Sequence, residues 1–220
     1  MIWKWLHREN RDQLILFCNG WGMDETPFVP LKSRDYDVLM LANYGDLATG
    51  PDFGQVFSAY RSCSLVGWSM GVWAGQQLFG AREELFVRAV AVNGTLYPRD
   101  DRYGIPEKIF DATMEGWNEA ARLKFYRRMC RNKELSERFL ANQPTRGIDD
   151  QQRELVLLQN QLRTSKPSSP LFTDIIISDK DFIIPTVNQY NFWKEGNITE
   201  IEGPHFPFYS YDSWDGVIGF

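Results

Sequence analysis

Gly67-Trp68-Ser69-Met70-Gly71, entered through the apolar run Ser64-Leu65-Val66, is the stretch on which the fold turns. A strand that reverses sharply into a helix needs small residues around its apex. A glycine two positions to either side of the serine meets that need and lifts the hydroxyl clear, where a carbonyl carbon can reach it. The pentapeptide predicts a nucleophile. It obliges the rest of the chain to supply a base, an orienting acid and an oxyanion hole.

Outward from the turn, the chain alternates short apolar runs with helix-length segments. Leu14 to Cys18 is continuous and apolar and ends at Asn19-Gly20, the pattern of a strand buried on both faces. Asp37 to Leu41 repeats it. Leu65 and Val66 end a third strand, and Met70 to Phe79 is compatible with a helix. Val87 to Val92, Ile175 to Ile177 and Ile198 to Ile201 read as further strands, and Ile2 to Leu6 suits an edge strand. The alternation predicts an α/β fold: a mostly parallel sheet flanked by helices in a single domain spanning residues 1–220. From about 105 to 167 the pattern changes to charged helical segments, Glu119 to Phe139 and Asp149 to Leu162, broken at Pro144, Gly147 and the Ser/Pro-rich run Ser165 to Pro170. This stretch is expected to form a helical cap insertion over the strand ends.

The chemistry narrows quickly. Two histidines are available as a neutral-pH base. His7 lies among charged residues before the first buried strand and reads as a solvated surface group. His205 follows a strand and Gly203-Pro204, in a loop that can project over the sheet's carboxyl edge. The orienting acid belongs in the loop after the preceding strand, where Asp179 and Asp181 both qualify and spacing does not choose between them. The chain order Ser69, Asp179 or Asp181, then His205 is that of the α/β-hydrolase triad. The oxyanion needs two preorganised donors. The backbone N–H of Met70 is one, and the Asn19-Gly20-Trp21-Gly22 turn supplies the Trp21 N–H as the other. Trp68 either shapes the substrate pocket or packs in the core.

Composition sets the outer limits. The chain is 43% hydrophobic, 24% charged and 15% aromatic, enough apolar mass for a buried core. A net charge of −5 disfavours a nucleic-acid surface. Cys18, Cys63 and Cys130 have neither metal-ligand spacing nor the pattern of a disulfide framework. No phosphate-binding loop, His-Glu-x-x-His or dinucleotide fingerprint is present, so no metal or cofactor is expected. Without a signal-like start or a membrane-length apolar run, the expectation is a soluble cytoplasmic protein with no membrane partner. One segment departs from the overall charge: Ala121 to Arg138 holds seven basic and two acidic residues. Its Arg122, Lys124, Arg127, Arg128 and Arg131 form a candidate docking face for an acidic or phosphate-bearing carrier, with 124, 127, 128 and 131 expected on one helical face.

Four segments together carry a family resemblance: Phe17-Cys18-Asn19-Gly20-Trp21-Gly22-Met23-Asp24, Gly67 to Gly71, Ser178-Asp179-Lys180-Asp181-Phe182-Ile183-Ile184-Pro185 and Gly203-Pro204-His205-Phe206-Pro207-Phe208. The chain resembles the BioG family, the pimeloyl-[acyl-carrier protein] methyl ester esterases of biotin synthesis, over essentially its whole length. The resemblance implies an α/β-hydrolase fold and selects Asp181, which opens the superfamily's Asp-x-x-Val/Ile-Pro segment, over Asp179. It also implies a pimeloyl chain in the pocket and acyl-carrier protein over the basic cap. Many relatives have His-Gly where this chain has Asn19-Gly20, an exchange that keeps the backbone donor but alters the bonds holding the loop. Two other readings stay open: a serine hydrolase of another small ester, thioester or acyl substrate, and an inactive interaction module on the same fold.

Overall fold

The computed structural model describes residues 1–164, 169–194 and 196–219. Among them, seven strands form one sheet in the order β1-β3-β2-β4-β5-β6-β7. They are β1 (Ile2–His7), β2 (Gln13–Cys18), β3 (Tyr36–Ala42), β4 (Ser62–Trp68), β5 (Arg88–Val92), β6 (Asp174–Ser178) and β7 (Asn197–Ile201). β1 runs antiparallel to β3 at one edge, and every other neighbouring pair is parallel. Parallel strands buried on both faces need no polar alternation, and Leu14 to Cys18 in β2 are fully buried. Successive side chains alternate between faces. Leu14, Leu16 and Cys18 enter one core, while Ile15 and Phe17 enter the other. Much of the aromatic content is packing: Phe17, Phe28, Phe206, Phe208 and Trp214 surround one another with centroids 4.7–6.0 Å apart.

The helices are α1 (Phe53–Ser58), α2 (Met70–Phe79), α3 (Glu107–Glu115), α4 (Glu119–Cys130), α5 (Lys133–Ala141), α6 (Ile148–Thr164), α7 (Thr186–Phe192) and α8 (Trp214–Ile218). Four of them, α3 to α6, fall between β5 and β6. The Ser/Pro-rich break at 165–170 lies partly outside the described residues, as does the end of the 105–167 segment.

Two sequence expectations are corrected. Glu119 to Phe139 is two helices, because Arg131 takes a positive φ of 64° and the Asn132 side chain accepts from Leu135 N at 2.7 Å, starting α5. Arg131 therefore leaves the helical face that holds 124, 127 and 128. His7 is the end of the edge strand, half-buried, with Nε2 2.7 Å from the Leu31 carbonyl oxygen, so it is not a solvated surface group.

The topology creates the site. After β2 the chain crosses to β3 on one side, then returns to lay β4 on the other, with Cys18 paired to Gly67. At such a switch point the loops beyond the two carboxyl ends diverge and leave a crevice between them. The Asn19–Gly22 turn and the Ser69 turn face each other across it.

Candidate active site

Ser69 connects β4 directly to α2 with φ 55° and ψ −120°. This backbone is strained for any side-chain-bearing residue, and it is tolerated where the surroundings over-determine it. The glycines show how. A Cβ on Gly71 would lie 1.9 Å from the Cys18 carbonyl oxygen, and one on Gly67 would lie 2.9 Å from Val72 Cα. The turn is thus pressed against the end of β2 as closely as backbone allows.

Opposite the serine, His205 Nε2 lies 2.9 Å from Ser69 Oγ, and His205 Nδ1 lies 2.7 Å from Asp181 Oδ2. An ionised carboxylate only accepts, so Nδ1 carries the ring proton and Nε2 is left to accept from the serine hydroxyl. Asp181 follows β6 and His205 follows β7. All three are buried, Ser69 being 9% exposed, Asp181 5% and His205 1%. Asp181 accepts three further bonds: Ile183 N and Ile184 N on Oδ1 at 2.8 and 3.0 Å, and Gln189 Nε2 on Oδ2 at 2.8 Å. Asp179 points elsewhere, accepting from Gly203 N at 2.8 Å and sitting 3.6 Å from Lys180 Nζ.

The two candidate oxyanion donors flank the serine. Among the described residues, the backbone N–H groups of Trp21 and Met70 donate to no protein acceptor. Gly20 lets the Trp21 loop approach, since a Cβ there would meet the Trp68 ring at 2.8 Å. Asn19, fully buried, holds the loop by donating to Asp24 O at 3.1 Å and accepting from Gly20 N at 2.8 Å. Trp68 packs in the core. It borders the pocket, yet it is 1% exposed, and its indole N–H donates to the His205 carbonyl at 2.9 Å.

The pocket at Ser69 is largely apolar, lined by Ile109, Phe110, Phe125, Leu155 and Ile183, with Arg128 as its one charged contributor among the described residues. Of the other basic residues, Lys124 and Arg127 are exposed on α4. Arg131 lies over the Phe182 ring with its guanidinium carbon 3.6 Å from the centroid. Arg122 departs from an outward basic face: its side chain is 17% exposed and donates to Glu119 and to the Arg146 carbonyl. The three thiols are buried and free, and burial pushes Cys63 up to about 11 and Cys130 to about 12, so neither is a nucleophile at neutral pH.

Sequence reasoning missed Asn93, which follows β5 and looked like a simple turn with Gly94. It has φ 45°, and its side chain joins Ser178 to the His205 carbonyl at 2.8 and 3.0 Å. The unusual backbone, invisible in sequence, is what aims that side chain. Gln189 on α7 gave no signal either.

A switch-point crevice in a mostly parallel sheet, holding a buried serine, histidine and aspartate in one hydrogen-bonded chain, defines a class: the protein is a serine hydrolase of the α/β-hydrolase fold. Within that class the family description "Pimeloyl-ACP methyl esterase BioG" matches residues 2–217, and the chain belongs to the BioG family. The crystal structure of BioG from Haemophilus influenzae superposes with a TM-score of 0.87 at 35% identity, covering 98% of both chains. An uncharacterized protein of Haemophilus influenzae is 35% identical over 210 residues, 94% of each. A malonyl-[acyl-carrier protein] O-methyltransferase of Bacteroides fragilis is 36% identical over 199 residues, which are 89% of this chain but 40% of that protein. The chain thus spans two fifths of that relative. No helix among the described residues is long and apolar enough to cross a membrane.

Proposed function

We propose that this protein is an esterase that hydrolyses the methyl ester of pimeloyl-[acyl-carrier protein] methyl ester, releasing methanol and pimeloyl-[acyl-carrier protein]. The observation that carries the reading is the Ser69–His205–Asp181 chain, with contacts of 2.9 and 2.7 Å. His205 takes the Ser69 proton as Oγ attacks the ester carbonyl carbon. Asp181 holds the ring in the productive tautomer and stabilises the imidazolium that forms. The Trp21 and Met70 N–H groups receive the developing oxyanion. Collapse of the tetrahedral intermediate expels methanol, protonated by His205. A water deprotonated by the same histidine then cleaves the acyl-enzyme and restores the serine.

The pocket chemistry supports an aliphatic acyl chain. Ile109, Phe110, Phe125 and Leu155 can shelter methylene groups and a neutral methyl ester. A product carboxylate, charged at neutral pH, is disfavoured in the same apolar surroundings, which promotes its release. Helices α3 to α6 act as the cap, and the exposed Lys124, Arg127 and Arg128 face an acidic carrier that docks with its acyl chain threaded toward Ser69. Docking fixes the distance from carrier to serine, so the terminal ester is presented and the thioester at the other end is spared.

Ser69→Ala tests the core of the reading. The variant is expected to fold as the parent and to lose kcat on pimeloyl-carrier methyl ester by about a millionfold. Methanol release by Ser69→Ala at the parent rate would overturn the assignment. Parent activity confined to short free esters would favour a general esterase.

A further inference from the structure

The loop after β2 is held in place from outside its own strand. Gly20 to Met23 form a turn in which Met23 N donates to Gly20 O at 3.4 Å, and Gly22 occupies the third position with φ +74°. That is a type II turn, and its third position favours glycine for this reason. The closing bond turns the Gly20 carbonyl inward, which leaves the N–H of the same peptide unit, that of Trp21, facing the crevice.

Helix α6 grips the other half of the turn. Gln151 Nε2 donates to the Gly22 carbonyl at 2.7 Å, and the Gly22 amide donates to Glu154 Oε2 at 3.3 Å. The Trp21 indole N–H donates to the Gln151 backbone carbonyl at 2.9 Å. Just before the helix, Arg146 Nη1 bonds Glu154 Oε2 at 2.6 Å and reaches Met23 O at 3.4 Å. The second Glu154 oxygen accepts from Tyr44 N at 2.9 Å. Gln151 and Glu154 are 0% and 1% exposed.

Such a cluster is not explained by stability alone. Burial pushes the Glu154 carboxyl up, against the pull of the Arg146 charge, and replacing buried ion pairs by apolar groups is often neutral or stabilising. What the cluster does supply is direction. Glu154 fixes the central peptide of the turn through the Gly22 N–H, Gln151 fixes the next peptide through the Gly22 carbonyl, and the Trp21 indole is tied to the same helix, so the adjoining Gly20–Trp21 peptide that carries the donor has little room to reorient. An oxyanion donor is effective only if it points at the position where charge develops.

We infer that Gln151 and Glu154 are positioning residues for the oxyanion donor at Trp21, so that the helix lining the pocket also sets the strength of transition-state stabilisation. The inference rests on the esterase reading above.

The test uses the full-length chain with Gln151→Met and Glu154→Gln. Turnover of the ester is followed alongside inhibition by an alkyl trifluoromethyl ketone, which adds to the serine as a tetrahedral oxyanion. Each variant is expected to lose about tenfold or more in kcat, with KM changed by less than about twofold. Affinity for the ketone should fall by about the same factor as kcat. Tyr126→Phe serves as control, because it removes the 3.1 Å bond from Gln151 Nε2 to the Tyr126 hydroxyl without touching the turn; it should leave kcat unchanged. If Glu154→Gln fails to fold because Arg146 loses its buried charge partner, Gln151→Met, which changes no charge, decides. Unchanged kcat and ketone affinity in folded Gln151→Met would overturn the inference, as would an equal loss in Tyr126→Phe. An inactive parent, or an active Ser69→Ala, would sink the esterase reading instead.

Discussion

A methyl group at Gly71 would sit 1.9 Å from one backbone oxygen and 2.6 Å from another, those of Cys18 and Asn19. No side-chain movement relieves a clash with backbone. Gly71→Ala is therefore expected to lower unfolding stability by about 3 kcal/mol, the upper end for an overpacked site, as read from urea midpoints. An unchanged midpoint would mean that α2 and the β2 end can part at little cost. The two aspartates after β6 make a sharper comparison. Asp181 accepts four hydrogen bonds, one of them from His205, and an amide in its place must turn a donor toward one of those donors. Asp181→Asn should cost about 10⁴-fold in kcat with the fold retained. Asp179→Asn, at a side chain that bonds Gly203 N and pairs with Lys180, should leave kcat within about twofold. The reverse ranking in a methanol-release assay would move the acid to Asp179. From residue types and spacing alone the two were equal; a 2.7 Å contact across 24 positions separates them.

Elements were legible where burial was extreme. β2, β3 and β4 are central, and an apolar run with a glycine or asparagine at its end is hard to build any other way. The break between α4 and α5 was not legible, because it is made by a positive φ at Arg131 and a side-chain cap, with neither glycine nor proline to mark it. α8 has five residues and no periodicity to read, yet its Trp214 is a pillar of one core. Ion pairing also works between elements. Arg99, in the segment after β5, forms a two-pronged pair with Asp111 of α3 at 2.9 and 2.8 Å. The hydrogen bonds from Arg99 hold the Asp111 carboxyl below its usual range. A depressed carboxyl adds stability above its unfolded pKa of about 3.9 and loses it as pH falls through the lower folded value. The melting temperature of Asp111→Asn should therefore trail the parent at neutral pH and converge with it once the pH has fallen through the depressed folded value. A gap that persists in acid would assign the difference to packing.

For the molecule as a whole, charge and topology act at different ranges. A chain of net charge −5 that gathers seven basic residues between 121 and 138 has a polarised surface. Such a field steers an acidic partner and weakens as salt screens it. Arg127→Glu with Arg128→Glu should lower kcat/KM on the carrier-linked ester by at least about tenfold at low salt, and the gap should narrow as salt rises. A small free ester should be far less affected. Equal losses on both substrates would mean that the effect comes from Arg128 where it borders the pocket, and that neither arginine serves docking.

The sequence by itself determined the strand set, the serine turn, the histidine and the glycine-bounded turn after β2. These are local matters: runs of apolar residues bounded by glycine, and one well-placed base. The tertiary structure decided everything that depends on distant segments meeting. It brought Asp181 to His205, turned Asn93 and Trp68 onto the histidine's carbonyl, and seated Gln151 and Glu154 against Gly22 from 129 and 132 residues away. A polar residue on a helix looks the same in sequence whether it faces water or a backbone amide. Only the sheet order, which places loops from β2, β4, β6 and β7 at one edge, tells which.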